Sequence, residues 1–422
     1  MTDARTAAHA LVGEVLRRRR ALDEALADGA LAPLDPRDRA FARLLVATVL
    51  RRLGQLDDLL AQFMESPLPD RAAPVQDALR LGLAQLVFLE TPAHAAVDSS
   101  VRLVEGRFDG FKGLVNAVLR RASREGAERL QKQDAARLST PDWLWNAWTA
   151  AYGAETARAI GEAHLAEPPL DLMVRSDPEL WAPRLEAEIL PTGALRRAAG
   201  GGIVPELPGY GEGAWWVQDA AAALPVTLLG DVRGKRVADL CAAPGGKTVQ
   251  LALAGAQVVA IDRSARRLER VRENLTRMRT EAELIAADAA EWRPATPPDA
   301  ILLDAPCTAT GTIRRHPDVA HLKSAADGAR LAALQDRLLD HAVSLLPPGG
   351  VMVYCVCSLQ PEEGPDRIAR LLGSGAPVEM TYVRDDEVPP EMIRNGALRT
   401  LPSHWRERGG LDGFYAARLR KL

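Results

Sequence analysis

The first 240 residues of this 422-residue chain contain no cysteine, and the whole chain has four: Cys241, Cys307, Cys355 and Cys357. A secreted disulfide scaffold uses more, spread evenly, and a zinc site calls for Cys-x-x-Cys pairs or clustered histidines, which do not occur. No metal is expected. No apolar run is long enough to cross a bilayer, and the polar stretch Met1 to Ala10, with Arg17 to Arg20 after it, lacks the order of a signal peptide. This excludes a membrane protein and leads us to expect a cytoplasmic chain. Neither sign of charge dominates: 53 Lys and Arg stand against 56 Asp and Glu, a net charge of −3, which argues against a protein that coats nucleic acid through general basicity. Any RNA contact must come from local patches, least of all from residues 136–230, which carry 6 basic against 12 acidic side chains.

The length suffices for two or three domains. Residues 1–135 read as an all-α domain of about six helices, at Ala7 to Arg20, Arg37 to Leu53, Leu56 to Phe63, Pro74 to Leu89, Ala95 to Val104 and Phe111 to Arg124, with apolar residues three and four apart. Residues 136–230 open on Trp143, Trp145 and Trp148 and continue with a strand-like Leu170 to Arg175 and a helical Glu179 to Leu190. They close on the Gly/Pro-rich Gly200 to Gly213, which together suggests a small α+β lead-in. From residue 231 strands and helices alternate. The apolar runs Arg236 to Leu240, Gln257 to Ile261, Glu283 to Ala287, Ala300 to Asp304 and Gly350 to Cys355 predict a doubly wound, Rossmann-like α/β domain with a parallel sheet.

The first of these strands ends in Asp239-Leu240-Cys241-Ala242-Ala243-Pro244-Gly245-Gly246-Lys247-Thr248 and runs straight into a helix. Small residues at such a turn let backbone N–H groups approach a bound cofactor at the crevice of a doubly wound sheet. The string is neither G-x-G-x-x-G nor a P-loop, which needs a further glycine upstream. Asp262 closes the second strand, where a carboxylate can accept both hydroxyls of a ribose, and Asp288 follows the third, placed for an adenine amino group. Together these positions outline a nucleoside pocket. The fourth strand delivers Asp304-Ala305-Pro306-Cys307-Thr308-Ala309-Thr310-Gly311 and the fifth Tyr354-Cys355-Val356-Cys357-Ser358, so cysteines come to the sheet edge that carries the loop. Cys355, inside the apolar run, reads as a core residue. Cys307 and Cys357 read as reactive, with Lys247 or a helix start near Pro361 to favour a thiolate.

These three strings, with Leu359-Gln360-Pro361-Glu362-Glu363-Gly364 after the last, resemble the RNA 5-methylcytosine methyltransferase family (the NOL1/NOP2/Sun group) from Gln218 to the C-terminus. The helical N-terminal part resembles the NusB-like domain of the bacterial member that acts on 16S ribosomal RNA. The resemblance implies S-adenosylmethionine as cofactor, 16S ribosomal RNA as partner and a monomeric enzyme. It further implies cofactor binding by Cys241, Ala242, Ala243, Pro244, Gly245, Gly246 and Lys247, with the ribose at Asp262, the adenine at Asp288, and Asp304 and Lys247 lining the site. Cys357 falls on the family nucleophile and Cys307 on the cysteine that helps release product. Val356 stands where the family usually has Thr, Thr308 where it has Ser, and Gly364 where Asn often follows two glutamates, but no reacting group is lost.

Two thiols suit this chemistry. Carbon 5 of cytosine is a poor nucleophile, so a thiolate adding to carbon 6 pushes electron density onto carbon 5, and a second group must then take the carbon 5 proton. Asp304 can hydrogen-bond the ring nitrogen or amino group of the base. For holding RNA, the candidates are Arg314, Arg315 and His316, with Arg17 to Arg20 and the tail residues Arg418, Arg420 and Lys421 behind them. Trp215, Trp216 and Gln218 are expected at the mouth of the site. A transfer RNA substrate, a non-catalytic assembly factor and exchanged cysteine roles remain open alternatives.

Overall fold

The computed structural model describes residues 3–200 and 203–422. Met1 and Thr2 of the polar N-terminal stretch, and Gly201 and Gly202 of the glycine-rich stretch, lie outside the described residues. The chain divides into two units, residues 1–165 with 315–323, and residues 166–314 with 324–422. Expected residues 136–230 are therefore shared between units, because Trp143, Trp145 and Trp148 sit on helix Asp142–Tyr152 of the first.

The first unit is all-helical. The six expected helices are present, joined by the short Leu22–Ala27, which buries Ala25 alone and so leaves no periodic signal. Helix starts follow their capping residues: the Asp3 carboxylate accepts from Thr6 N–H, and that of Asp35, ahead of Pro36, accepts from Asp38 N–H. Leu11, Leu45, Val49, Leu60, Leu79, Leu83 and Leu119 meet in one core. Each such aliphatic side chain contributes about 1.5–3 kcal/mol when fully buried.

The second unit opens with a small antiparallel sheet of β1 (Leu170–Val174), β2 (Ala187–Ile189), β3 (Leu195–Arg197) and β4 (Trp215–Val217), in the order β2-β3-β1-β4. The helix expected over Glu179 to Leu190 is shorter, Pro178–Arg184, since Glu186 turns to a positive φ of 50° and the chain continues as β2. The main sheet holds β5 (Arg236–Leu240), β6 (Gln257–Asp262), β7 (Glu283–Ala286), β8 (Ala300–Asp304), β9 (Val351–Val356), β10 (Val378–Thr381), β11 (Ile393–Arg394), β12 (Ala397–Arg399) and β13 (Tyr415–Lys421). Its order is β11-β12-β13-β9-β8-β5-β6-β7, with β10 on β13. The five expected strands β5 to β9 are parallel, but β13 runs antiparallel to β9, so the sheet is mixed and not all-parallel. Order reverses between β5 and β8, which opens a crevice at their carboxyl ends. Among the described residues no helix is long and apolar enough to cross a membrane.

Two buried ion pairs hold the small sheet against this layer. Arg196 meets Asp171 through two bonds of 2.7 Å and donates to the Gly410 carbonyl, while Asp171 also accepts from Ala220 N–H. Arg314 donates to Asp219 at 2.6 Å, to Asp412 at 3.4 Å and to the Gly409 carbonyl. At 1% exposure it reaches no phosphate, which corrects its expected RNA-binding role. Arg315 is exposed and His316 lies 3.4 Å from Asp23, both in the helical unit. The expected triad is thus divided. Arg418 is likewise buried against Glu387, and Arg17, Arg18 and Arg20 pair with Asp77, Glu14 and Asp28.

Breaking a buried pair strands a charge in low dielectric. Arg314→Met should lower the stability of the second unit by about 3–5 kcal/mol in urea unfolding, whereas Arg315→Ala should stay within about 0.5 kcal/mol of wild type. Equal effects at the two neighbours would contradict the assignment.

Candidate active site

The loop after β5 turns sharply because Cys241 and Gly245 have positive φ, 64° and 101°. A Cβ on Gly245 would also come within 2.9 Å of Val271 Cγ1 and 3.1 Å of its Cα, so only glycine fits. Asp262, at the end of β6, braces this loop: its carboxylate accepts from Ala243 N–H at 3.2 Å and from Ser264 N–H at 2.9 Å. Arg267 closes the corner by pairing with Asp262 at 3.2 Å and donating to the Ala243 carbonyl at 2.6 Å. Asp288 lies just past β7, exposed, with one oxygen accepting from Ala290 N–H. Trp216 packs beneath the loop against Ala243 and Val271 and donates to Gln218, but Trp215 is buried in the core of the small sheet and not at a mouth.

Lys247, on the first turn of helix Gly246–Leu253, reaches across to β8 and donates to Asp304 Oδ2 at 2.7 Å. Burial works to lower its pKa, yet the Asp304 carboxylate outweighs this and holds it above the ordinary lysine value, with the Cys355 and Cys357 sulfurs also facing it. The other Asp304 oxygen accepts from the Cys355 thiol at 3.6 Å. Register explains the contact, since Asp304 stands opposite Cys355.

The four cysteines divide by environment. Burial, then the carboxylates of Asp304, Asp262 and Asp239, pushes the Cys241 thiol up to about 12. Burial, with Asp304 beside it, also raises Cys355 well above the usual thiol range. Both remain protonated. Cys307 and Cys357 are half-buried, with their sulfurs 3.5 Å apart. The hydrogen bond between the two sulfurs, reinforced by burial, raises the Cys307 thiol well above its ordinary value. The structure thus brings Lys247, Asp304, Cys307 and Cys357 to one place beside the Gly245 loop.

Two carboxylates went unread in the sequence. Asp239, fully buried on β5, accepts from the Thr248 hydroxyl at 2.6 Å through one oxygen, while the other has no partner. Burial raises its pKa to about 7. Glu363, also fully buried, lies under the cysteine loops. Both stand inside the quoted motif strings, which was the available signal. Among the described residues no group of three or more His, Cys, Asp or Glu is placed to hold a metal.

Residues 226–420 match the family described as 16S rRNA methyltransferase RsmB/F, and residues 2–124 match the NusB family. The chain is 41% identical to ribosomal RNA small subunit methyltransferase B of Pseudomonas syringae pv. tomato, over 85% of this chain and 84% of that one. It is 39% identical to the protein of that name in Pseudomonas putida, over 99% and 98%. A solved methyltransferase homologue from Pyrococcus horikoshii has a TM-score of 0.55 at 27% identity, covering 66% of this chain and 94% of that one.

The Asp239 shift fixes a pH dependence. Its folded pKa lies above the unfolded value, so between about pH 4 and 7 only the unfolded chain is ionised there, and stability falls as pH rises, levelling off above. Against Asp239→Asn, wild type should lose a few kcal/mol across that window, at most about 1.4 kcal/mol per pH unit. Urea unfolding of both proteins at several pH values checks this, and parallel curves would contradict it.

Proposed function

The chain belongs to the 16S rRNA methyltransferase RsmB/F family, and from that membership we propose that it methylates carbon 5 of a cytosine in small-subunit ribosomal RNA through a covalent cysteine adduct. The observation that carries the chemistry is the pair of sulfurs, 3.5 Å apart, beside the Lys247–Asp304 ion pair at the crevice between β5 and β8. A protein that only binds RNA has no use for two facing thiols.

S-adenosylmethionine, when bound, supplies an electrophilic methyl group. The residues fit it. Gly245 keeps the loop clear of side chain at its tightest point, and the unpartnered Asp239 oxygen offers an acceptor beneath the loop. Cys241 to Lys247 would hold the cofactor, with Asp262 and Asp288 toward its nucleoside and Asp304 nearby.

On the RNA side, the target base must leave its stack to expose a ring face. Cys357, as thiolate, adds to carbon 6, and the electron pair moves onto carbon 5, which makes that carbon nucleophilic. Lys247 favours the thiolate by its charge and orients Asp304 through the ion pair. Asp304 can accept a hydrogen bond from the base and stabilise the adduct. Once carbon 5 carries the methyl group, Cys307, its own thiol proton released to solvent at this half-buried site, accepts the carbon 5 proton as a thiolate. The carbon 6–sulfur bond then breaks and the Cys357 thiolate leaves. A ribosomal RNA substrate fits the expected cytoplasmic, monomeric enzyme.

Deproteinised small-subunit RNA should accept label from methyl-labelled cofactor at cytosine carbon 5 with wild type, and not with Cys357→Ala. Cys307→Ala should slow turnover by about 10²–10⁴-fold and accumulate a covalent RNA adduct. An adduct trapped by Cys357→Ala instead would exchange the two roles, and no transfer by wild type would refute the function.

A further inference from the structure

The reaction asks for two sulfurs at a set spacing, yet Cys307 and Cys357 belong to separate loops at the ends of β8 and β9. Backbone bonds join those loops on either side of the cysteines, from Ala305 N–H to the Cys355 carbonyl at 2.9 Å and from Gly311 N–H to the Cys357 carbonyl at 3.0 Å. The first leaves the β8 loop free to swing after Pro306. The second requires glycine at 311, where any Cβ would run into the Gly413 carbonyl. Neither holds the sulfurs themselves.

What lies under both is Glu363. Its Oε1 accepts from Thr308 N–H at 2.8 Å and from Gln335 Nε2 at 3.2 Å. Its Oε2 accepts from the Ser358 hydroxyl at 2.6 Å and from the Thr308 hydroxyl. Thr308 directly follows Cys307, and Ser358 directly follows Cys357. Four donors fill the four acceptor positions a carboxylate has. Glu363 is itself anchored: its backbone carbonyl accepts from the Tyr354 hydroxyl at 2.6 Å, and Gln335 also donates to the Pro306 carbonyl at 2.9 Å. Arg399 steadies the other side by donating to the Ser358 carbonyl at 2.7 Å.

We propose that Glu363 is the positioning residue that sets the distance between the Cys307 and Cys357 sulfurs, acting through Thr308 and Ser358 without touching substrate. Its catalytic consequence rests on the two-cysteine function above, while the geometric statement rests on these hydrogen bonds alone. A planar fork is needed because one atom must serve the backbone of one loop while the other serves hydroxyls from both. Glutamine keeps an oxygen for Thr308 N–H, and the two hydroxyls can rotate to accept from its amide, so Glu363→Gln should preserve most of the arrangement. Alanine leaves Thr308 N–H without an acceptor and Gln335 with only the Pro306 carbonyl, and unties the loops.

A dibromobimane that fluoresces only when both arms have alkylated thiols reads the spacing without RNA or cofactor. Wild type should bridge readily and Cys307→Ala not at all. Glu363→Ala should bridge about tenfold more slowly or worse, and Glu363→Gln within about threefold of wild type. In methylation assays Glu363→Ala should lower kcat by about 10²-fold while KM for RNA and for S-adenosylmethionine stays within about threefold. Bridging at the wild-type rate in Glu363→Ala would overturn the proposal, as would a loss of kcat matched by an equal loss of cofactor affinity. Should Glu363→Ala fail to fold, Thr308→Val combined with Ser358→Ala removes both hydroxyl donors, and unchanged bridging there overturns the proposal equally. If wild type bridges but methylates no RNA, the function fails while the positioning statement stands on its own readout.

Discussion

The parallel register of β8 on β9, with Asp304 opposite Cys355, is the constraint on which the site depends. Both strands are buried on both faces: Leu302, Val353 and Cys355 belong to one core, and Ile301, Leu303 and Tyr354 to the other. A slip of one residue would turn each of these to the opposite face, so it is the fit of individual side chains in the two cores that holds the register. Asp304 is thereby delivered beside the helix that carries Lys247, and the strand ends are delivered side by side. The ion pair, the thiol contact and the loop bonds follow from that alignment.

Charges inside the second unit are organised by pairing. Asp171 with Arg196, Asp219 and Asp412 with Arg314, and Asp304 with Lys247 each join segments far apart in the chain. Such pairs stabilise little in net terms, because desolvation offsets most of the Coulomb attraction. Their effect is geometric. Arg196 and Arg314 both bind carbonyls of residues 408–410, so the small sheet, the helix capped by Asp219 and the turn before β13 share one alignment. Two buried carboxyls lack a cation: Glu363 takes four hydrogen bonds instead, while Asp239 has one hydroxyl partner, and burial raises its pKa.

Much of this was legible in the sequence because the informative residues stand next to one another. The five strands β5 to β9 are short apolar runs, and each site loop begins where a run stops. Strands β10 to β13 went unread because their residues mix apolar with charged ones, as in Tyr415–Lys421: β13 gains its place by pairing with β9, β10 and β12 by pairing with β13, and β11 by pairing with β12. Arg314 was misread for a related reason. Next to Arg315 and His316 it looks like part of a basic patch, but its partners lie 95 and 98 residues away, and nothing local announces them. Glu363 was visible as part of Pro361-Glu362-Glu363-Gly364, yet its meaning depends on Thr308, 55 residues upstream.

Cys355 and Cys357 show how finely the end of a sheet divides structure from chemistry. They are two residues apart, and strand alternation sends both side chains toward the same core. Cys355 sits at the last parallel pair with β8, fully buried, its proton held by burial and directed at Asp304. One step further Val356 still pairs with Tyr415 on β13, but β8 has already ended. Cys357 therefore leaves the ladder, and its sulfur meets the β8 loop and Cys307 in place of a strand. A β8 two residues longer would set residue 306 opposite Cys357 as Asp304 stands opposite Cys355. The two sulfurs face each other because β8 stops at Asp304, which leaves Cys307 on the loop beside Cys357.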